Sequence, residues 1–208
     1  MERIFDVEQQ YPDTEFKKYI HVSKLGIDSR LYNSYEACPD TIRLIVNSLE
    51  VYPTDSVVDI GCGKGYAMYA MAQKPFSQID GIEICPHLAE TALHNLSAIF
   101  GKGDRRFHIY TEDAALFDKW DDYTYAFMYN PFKEICMGMV IEHIRASIMR
   151  HPRHFSMIYY NPVLDSQVMA SGIFSKRTYY LTNAFFTLYS TKRAHLMMRS
   201  FCALNNAD

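Results

Sequence analysis

The stretch Val57-Val58-Asp59-Ile60-Gly61-Cys62-Gly63-Lys64-Gly65-Tyr66 decides how this chain folds. Its apolar residues, followed by an acid and three alternating glycines, predict a buried strand, a tight loop and the start of a helix. Glycine at such positions allows positive φ and lets a ligand approach main-chain N–H groups closely. A purely structural turn explains the pattern less well, because three alternating glycines are costly without a ligand. We therefore predict a loop that holds a nucleoside-bearing small molecule.

The spacing of the glycines distinguishes between classes of nucleotide. A dinucleotide-binding loop has the form Gly-x-Gly-x-x-Gly/Ala, but the sixth position counted from Gly61 is Tyr66, whose ring would obstruct the packing of helix on strand. A phosphate-binding loop would need Ser or Thr after Lys64, and this chain has Gly65 there. Nicotinamide, flavin, ATP and GTP are therefore disfavoured.

The remaining pattern, Asp-x-Gly-x-Gly-x-Gly, resembles the first motif of the class I S-adenosylmethionine-dependent methyltransferases. Three further strand-like runs carry the same resemblance in the same order. The run 78–84 contains an acid, Glu83, about twenty residues beyond the glycine loop, where such folds bind a ribose diol. The run 107–110 is followed by Asp113-Ala114, and the run 125–129 ends at Asn130, where the family has its catalytic loop.

The resemblance implies a role for the residue at each strand end. Glu83 would accept the ribose hydroxyls, Ile84 would pack on the adenine face, and Asp113 would bind the adenine amino group. The predicted cofactor-binding residues are Asp59, Gly61, Cys62, Gly63, Gly65, Glu83, Ile84, Asp113, Ala114 and Asn130. Cys62 belongs to the loop, although a small buried thiol is the simpler interpretation of its side chain. The predicted cofactor is S-adenosylmethionine, and no metal site is predicted.

The loop Asn130-Pro131-Phe132 bears most directly on the chemistry. Amino-group methyltransferases carry Asp/Asn-Pro-Pro-Tyr/Phe here, and their side-chain oxygen and proline carbonyl accept hydrogen bonds from the target amine. This chain has a single proline at that point, which leaves N-methylation open. A second Asn-Pro begins at Asn161, so the predicted catalytic residues are Asn130, Pro131, Phe132 and Asn161. Tyr-Asn-Pro-Phe with a later Tyr-Asn-Pro also resembles a pattern in a group of small bacterial class I methyltransferases. This second resemblance does not identify a substrate.

Methyl transfer from a sulfonium is an in-line displacement that depends mainly on holding the reactants in contact. An amine could attack directly with Asn130 orienting its N–H, whereas a hydroxyl would need a base, which neither Asn130 nor Asn161 can supply. We therefore predict a nitrogen acceptor on a small molecule, with a protein acceptor as the alternative. The net charge of −3 disfavours DNA and leaves RNA a minor option.

Two functions from other classes remain open. The chain could be a regulatory or partner protein that binds the cofactor without turnover. It could also use the fold for aminopropyl transfer, which is disfavoured because those enzymes have acids where this chain has Asn130.

The alternation of elements predicts the fold class. Strand-like runs at 56–60, 78–84, 106–111, 125–129 and 154–160 alternate with helical runs at 36–50, 65–73, 86–100 and 133–150. The runs 178–181 and 184–189, separated by Thr182-Asn183, predict a hairpin. We predict an α/β fold with a doubly wound, Rossmann-like seven-stranded sheet, a C-terminal antiparallel hairpin and three αβα layers. Residues 36–208 would form the methyltransferase domain and 1–35 a lid segment, within a single domain overall.

Composition indicates the cellular compartment. Hydrophobic residues make up 49% of the 208-residue chain, enough for a sizeable core. No leader is apparent, and no apolar run reaches the roughly 18 residues needed to cross a bilayer. The five scattered cysteines lack Cys-x-x-Cys pairing, which argues against a disulfide framework and a structural zinc site. We therefore predict a cytoplasmic protein that does not bind membranes, and the sequence leaves its oligomeric state open.

Overall fold

The computed structural model describes residues 7–180 and 185–191, and in this part of the chain seven strands form one sheet. The strands are β1 (Ser56–Ile60), β2 (Gln78–Ile82), β3 (Phe107–Tyr110), β4 (Tyr125–Met128), β5 (Ser156–Tyr160), β6 (Ser175–Tyr180) and β7 (Phe185–Ser190). Their order is β3-β2-β1-β4-β5-β7-β6. The first five are parallel, and β7 runs antiparallel to both β5 and β6. This topology confirms the predicted Rossmann-like sheet with its C-terminal hairpin.

Helices cover both faces of the sheet, as predicted. They are α1 (Val7–Gln10), α2 (Ile42–Ser48), α3 (Tyr66–Met71), α4 (Pro86–Phe100), α5 (Glu134–Arg150) and α6 (Asp165–Ala170). Because strand side chains alternate between faces, Val57 and Phe127 join the core under α2, α3 and α4, whereas Val58 and Met128 join the core under α5 and α6. None of the described helices is both long enough and apolar enough to cross a bilayer.

The largest differences from the sequence predictions concern α2, α6 and β6. The helix predicted at 36–50 spans only Ile42–Ser48, and Pro39 disfavours helical backbone at Cys38, within the part that is not helical. Helix α6 was not predicted, since six residues are too few to show a helical period. Strand β6 begins at Ser175 rather than at 178. The prediction missed this start because the first residues of the strand are polar and exposed at the sheet edge. The predicted turn at 182–183 lies outside the described residues.

The described part of the N-terminal segment, residues 7–35, packs into the core of the domain. The side chain of Phe16 is fully buried in the core under α2 to α4. The buried Asn95 of α4 accepts a hydrogen bond from the Glu15 N–H at 3.0 Å and donates to the carbonyls of Glu15 and Lys64, both at 3.0 Å. Lys64, in the glycine loop, is buried and forms an ion pair with Glu15. The segment is therefore attached directly to the glycine loop.

Candidate active site

A cavity of about 360 Å³ opens at the carboxyl ends of the central parallel strands, the edge at which open α/β sheets bind their ligands. The predicted site residues that line it are Gly61, Gly63, Glu83, Ile84, Ala114, Asn130, Pro131, Phe132 and Asn161. Asp59 and Cys62 instead line a smaller neighbouring cavity, and Gly65 and Asp113 line neither. The strand ends therefore meet as predicted, with four residues outside the main cavity.

The glycine loop approaches two other segments so closely that Gly61 and Gly63 have no room for a side chain. The backbone has φ of +73° at Gly61 and +54° at Gly63. A Cβ atom on Gly61 would lie 2.5 Å from Cβ of Pro131, and one on Gly63 would lie 2.3 Å from a ring carbon of Tyr35. The loop thus contacts the Asn-Pro-Phe loop on one side and the N-terminal segment on the other.

Glu83 joins β2 to the glycine loop through both of its carboxylate oxygens. Oε2 accepts a hydrogen bond from the Gly63 N–H at 2.8 Å, and Oε1 accepts one from the Cys85 N–H at 2.9 Å. Burial raises the pKa of Glu83, and these N–H groups oppose that shift. Each oxygen has a second lone pair, so the carboxylate can hold the loop and still accept ligand hydroxyls.

Asp59 is a buried acid near the end of β1, two residues before the glycine loop begins. Only 2% of its surface is exposed. Burial raises the pKa of Asp59 well above its usual range, and the nearby charge of Glu83 raises it further. The side chain lines a small cavity next to Cys38, Cys62 and Tyr129.

We expect Asp59→Asn to stabilise the protein at alkaline pH and to change its stability little at acidic pH. A raised folded-state pKa means that the wild type loses stability as pH rises from the unfolded pKa to the folded pKa. Asparagine removes that loss, by about 1.4 kcal/mol per unit of pKa elevation. Urea unfolding of both proteins from acidic to alkaline pH measures the difference in their free energies of unfolding.

The exposed Asp118 provides the matched control. Asp118→Asn should leave the free energy of unfolding almost unchanged at every pH. A stability difference between Asp59→Asn and wild type that does not grow with pH would contradict the account.

Asp113, which was predicted to bind the adenine amino group, makes a local contact and does not line the main cavity. Its Oδ1 accepts a hydrogen bond from the Ala115 N–H at 2.8 Å, which closes the turn after β3. Burial raises the pKa of Tyr32, and the neighbouring Asp113 carboxylate adds to that rise. The exposed Glu112 lines the cavity instead, together with Ala114. Sequence reasoning missed Glu112 because the resemblance pointed to the adjacent acid.

The two Asn-Pro sequences lie side by side at the ends of β4 and β5. Asn130 and Asn161 both have left-handed backbone, with φ of +45° and +48°, which asparagine tolerates better than most residues. Nδ2 of Asn130 donates to the carbonyl of Asn161 at 2.8 Å, which fixes the orientation of the Asn130 amide. Oδ1 of Asn130 is buried and has no hydrogen-bond partner among the described residues. The amides converge as predicted, and one acceptor atom remains unused.

The N-terminal segment forms one wall of the cavity. It contributes Tyr19, Leu25, Ile27, Tyr32, Asn33, Ser34 and Tyr35, and Glu36 directly after it also lines the cavity. Tyr32 pairs with Phe132 as an isolated antiparallel bridge. The aromatic residues of the segment indicated such a position from sequence, whereas nothing in the pattern distinguished Asn33 or Ser34. The wall therefore includes polar residues that no motif predicted.

The charge and aromatic content of the cavity fit S-adenosylmethionine. The charged residues that line it are Glu36, Glu83 and Glu112, all acidic. The aromatic ones are Tyr19, Tyr32, Tyr35, Tyr129 and Phe132. Acids and ring faces both attract cations, and this cofactor carries a sulfonium and an ammonium group. Burial and the Glu36 charge raise the pKa of Tyr129 to about 12, so its hydroxyl stays protonated at neutral pH.

Three solved structures with a similar fold are described as methyltransferases. Precorrin-6Y C5,15-methyltransferase from Geobacter metallireducens matches at 14% identity over 87% of this chain and 97% of that one, with a TM-score of 0.57. An RNA methyltransferase from Salinibacter ruber, in complex with S-adenosyl-L-homocysteine, matches at 16% identity over 76% and 95%, with a TM-score of 0.55. An S-adenosylmethionine-dependent O-methyltransferase from Thermotoga maritima matches at 15% over 73% and 64%, with a TM-score of 0.54. These likenesses establish the fold.

Comparison of the sequence with other proteins gives a more specific result. A search of curated proteins found no match. The model of the family described as protein-L-isoaspartate (D-aspartate) O-methyltransferase matches residues 2–149, which include the glycine loop, Glu83 and the Asn-Pro-Phe loop. The chain therefore belongs to this family, and it is a class I S-adenosylmethionine-dependent methyltransferase.

Proposed function

We propose that this methyltransferase transfers its methyl group to a carboxylate oxygen of a protein acceptor. The family match carries the proposal, because the family is described as methylating isoaspartate and D-aspartate in proteins. The absence of an obvious base at Asn130 and Asn161 is compatible with it, since a carboxylate is already ionised at neutral pH and attacks without losing a proton. The sequence alone favoured a small-molecule acceptor, and family membership supports a protein instead.

The cofactor residues have distinct roles in this proposal. Glu83 accepts the ribose hydroxyls while it holds the glycine loop. Ile84 and Ala114 pack on the adenine, and the backbone at Gly61 and Gly63 lies along the methionine part. We assign Asp59, Cys62, Gly65 and Asp113 to supporting the loops that form these contacts, because none of the four lines the main cavity.

Transfer depends on alignment rather than on acid or base catalysis. When bound, S-adenosylmethionine supplies a methyl group on a sulfonium, which a nucleophile displaces in line. Asn130, Pro131, Phe132 and Asn161 orient the acceptor, and residues 7–35 act as the lid that excludes water. Holding the two reactants in contact can lower the barrier by about 7–11 kcal/mol.

A nitrogen acceptor is the second candidate, and the charge of the cavity favours it. Among the described residues, Glu36, Glu83 and Glu112 line the cavity and no lysine or arginine does, which favours an amine over a carboxylate. The unpartnered Oδ1 of Asn130 is an acceptor that matches an N–H group, and a carboxylate has no hydrogen to offer it.

Alkaline stability of the product separates the two acceptors. The enzyme is incubated with radiolabelled S-adenosylmethionine and either a peptide with one isoaspartate or a matched peptide with aspartate there and one lysine. The products are then treated with mild alkali, which hydrolyses methyl esters and leaves methylamines intact. We expect the isoaspartyl peptide to be labelled and to release labelled methanol. Alkali-stable label on the lysine peptide would support the nitrogen candidate, and no label on either peptide would contradict both candidates.

A further inference from the structure

Asn33 binds all three backbone carbonyls of the Asn130-Pro131-Phe132 loop. Its side-chain Nδ2 donates to the carbonyl of Asn130 at 2.7 Å and to that of Phe132 at 3.1 Å. Its backbone N–H donates to the carbonyl of Pro131 at 3.1 Å. One residue of the N-terminal segment therefore contacts the backbone along the whole loop.

The loop depends on outside contacts for its shape. Asn130 has left-handed backbone, a conformation that persists only where the surrounding structure enforces it. Pro131 has no N–H with which to stabilise the turn. Two residues before Asn33, the carbonyl of Leu31 accepts a hydrogen bond from the Lys133 N–H at 2.8 Å, so the two segments are also paired at this point.

The same loop contacts the cofactor side of the cavity. A Cβ atom added to Gly61 would lie only 2.5 Å from the Cβ of Pro131, so Pro131 fills the space next to this glycine. Asn130 is linked to Asn161 through its Nδ2. A shift of the loop would therefore change both its distance from the glycine loop and the direction of the Asn130 amide.

We propose that Asn33 is a positioning residue for methyl transfer, which sets the Asn130–Phe132 loop at the distance and angle that in-line attack requires. The inference rests on the proposed function, because it assumes that the acceptor binds at this loop. An asparagine amide offers two N–H donors and fits two carbonyls, whereas an aspartate carboxylate would place its oxygens against theirs.

Asn33→Ala and Asn33→Asp test the proposal, with Asn47→Ala as the control because Asn47 is exposed on α2. The readouts are kcat and KM with labelled S-adenosylmethionine and the peptide that the wild type methylates, and the affinity for S-adenosylhomocysteine by calorimetry. We expect kcat to fall by about a hundredfold, the loss that a misplacement of about 1 Å can cause, while the affinity stays unchanged. Asn33→Ser keeps one donor and should have an intermediate kcat, which also serves if Asn33→Ala does not fold.

Unchanged kcat in the Asn33 variants, or an equal loss of kcat and S-adenosylhomocysteine affinity, would overturn the inference. If the wild type labels neither peptide, the proposed function is contradicted whatever the role of Asn33. Hydrogen exchange then tests separately whether Asn33 holds the loop in place. In that case the Lys133 amide should exchange faster in Asn33→Ala than in wild type and Asn47→Ala. Equal exchange rates in the three proteins would overturn it.

Discussion

Replacing Glu83 by alanine is expected to weaken the binding of S-adenosylmethionine and S-adenosylhomocysteine by at least about a hundredfold, since two charge-assisted bonds to the ribose contribute roughly 1.5–3 kcal/mol each. The substitution also removes the acceptors of the Gly63 and Cys85 N–H groups, at 2.8 and 2.9 Å. The glycine loop then keeps its backbone bonds to Ile82 but loses the side-chain link through Glu83, which adds to the loss of affinity. Calorimetric titration of the purified variant with both ligands measures the effect.

Two variants make this measurement specific. Glu90→Ala removes an exposed acid from α4, the helix that follows the same strand, and should bind both ligands as the wild type does. Glu83→Gln retains one acceptor oxygen and should lie between wild type and Glu83→Ala. Wild-type affinity in Glu83→Ala would contradict the assignment of this residue to the cofactor.

Gly63→Val should abolish measurable cofactor binding. Its Cβ would lie 2.3 and 2.6 Å from two ring carbons of Tyr35, and the ring is buried. The backbone at this position has φ of +54°, a conformation that costs a side-chain-bearing residue about 1–3 kcal/mol. Either the loop or the tyrosine must move, and both line the cavity.

The expected cause of that loss can be tested separately. Gly103→Ala adds a Cβ where nothing lies within 4 Å, so its binding should match the wild type. Combining Tyr35→Ala with Gly63→Ala removes the clash, so the double variant should bind the cofactor more tightly than Gly63→Ala alone. The recovery should be partial, because the alanine at position 63 still needs a positive φ. Full affinity in Gly63→Val would contradict the close packing of the loop.

The motifs predicted the fold because they report on local backbone and on burial. Three alternating glycines after Val57-Val58-Asp59-Ile60 require a buried strand and a tight loop, and β1 and α3 form there. The long helix α4 was predicted with its observed bounds, 86–100, because Pro86 begins it and an apolar face runs along it. Short or polar elements such as α6 and the start of β6 carry no comparable signal.

The candidate site was predicted only where its residues follow strand ends. Glu83 and Asn130 line the cavity because parallel strands bring their carboxyl ends to one edge. Asp113 differs because its carboxylate closes a local turn, a use that strand-end position alone does not reveal. Asn33 was missed because its role arises from pairing with a loop almost a hundred positions away, and no periodicity or spacing encodes that contact.

A crystal structure with bound S-adenosylhomocysteine tests the central claim most directly, namely that the strand-end cavity holds the cofactor between Glu83 and the Asn-Pro-Phe loop. The account predicts both ribose hydroxyls within hydrogen-bond distance of the Glu83 carboxylate, the adenine against Ile84 and Ala114, and the sulfur directed towards Asn130. Ligand bound elsewhere, or a ribose without contact to Glu83, would contradict it.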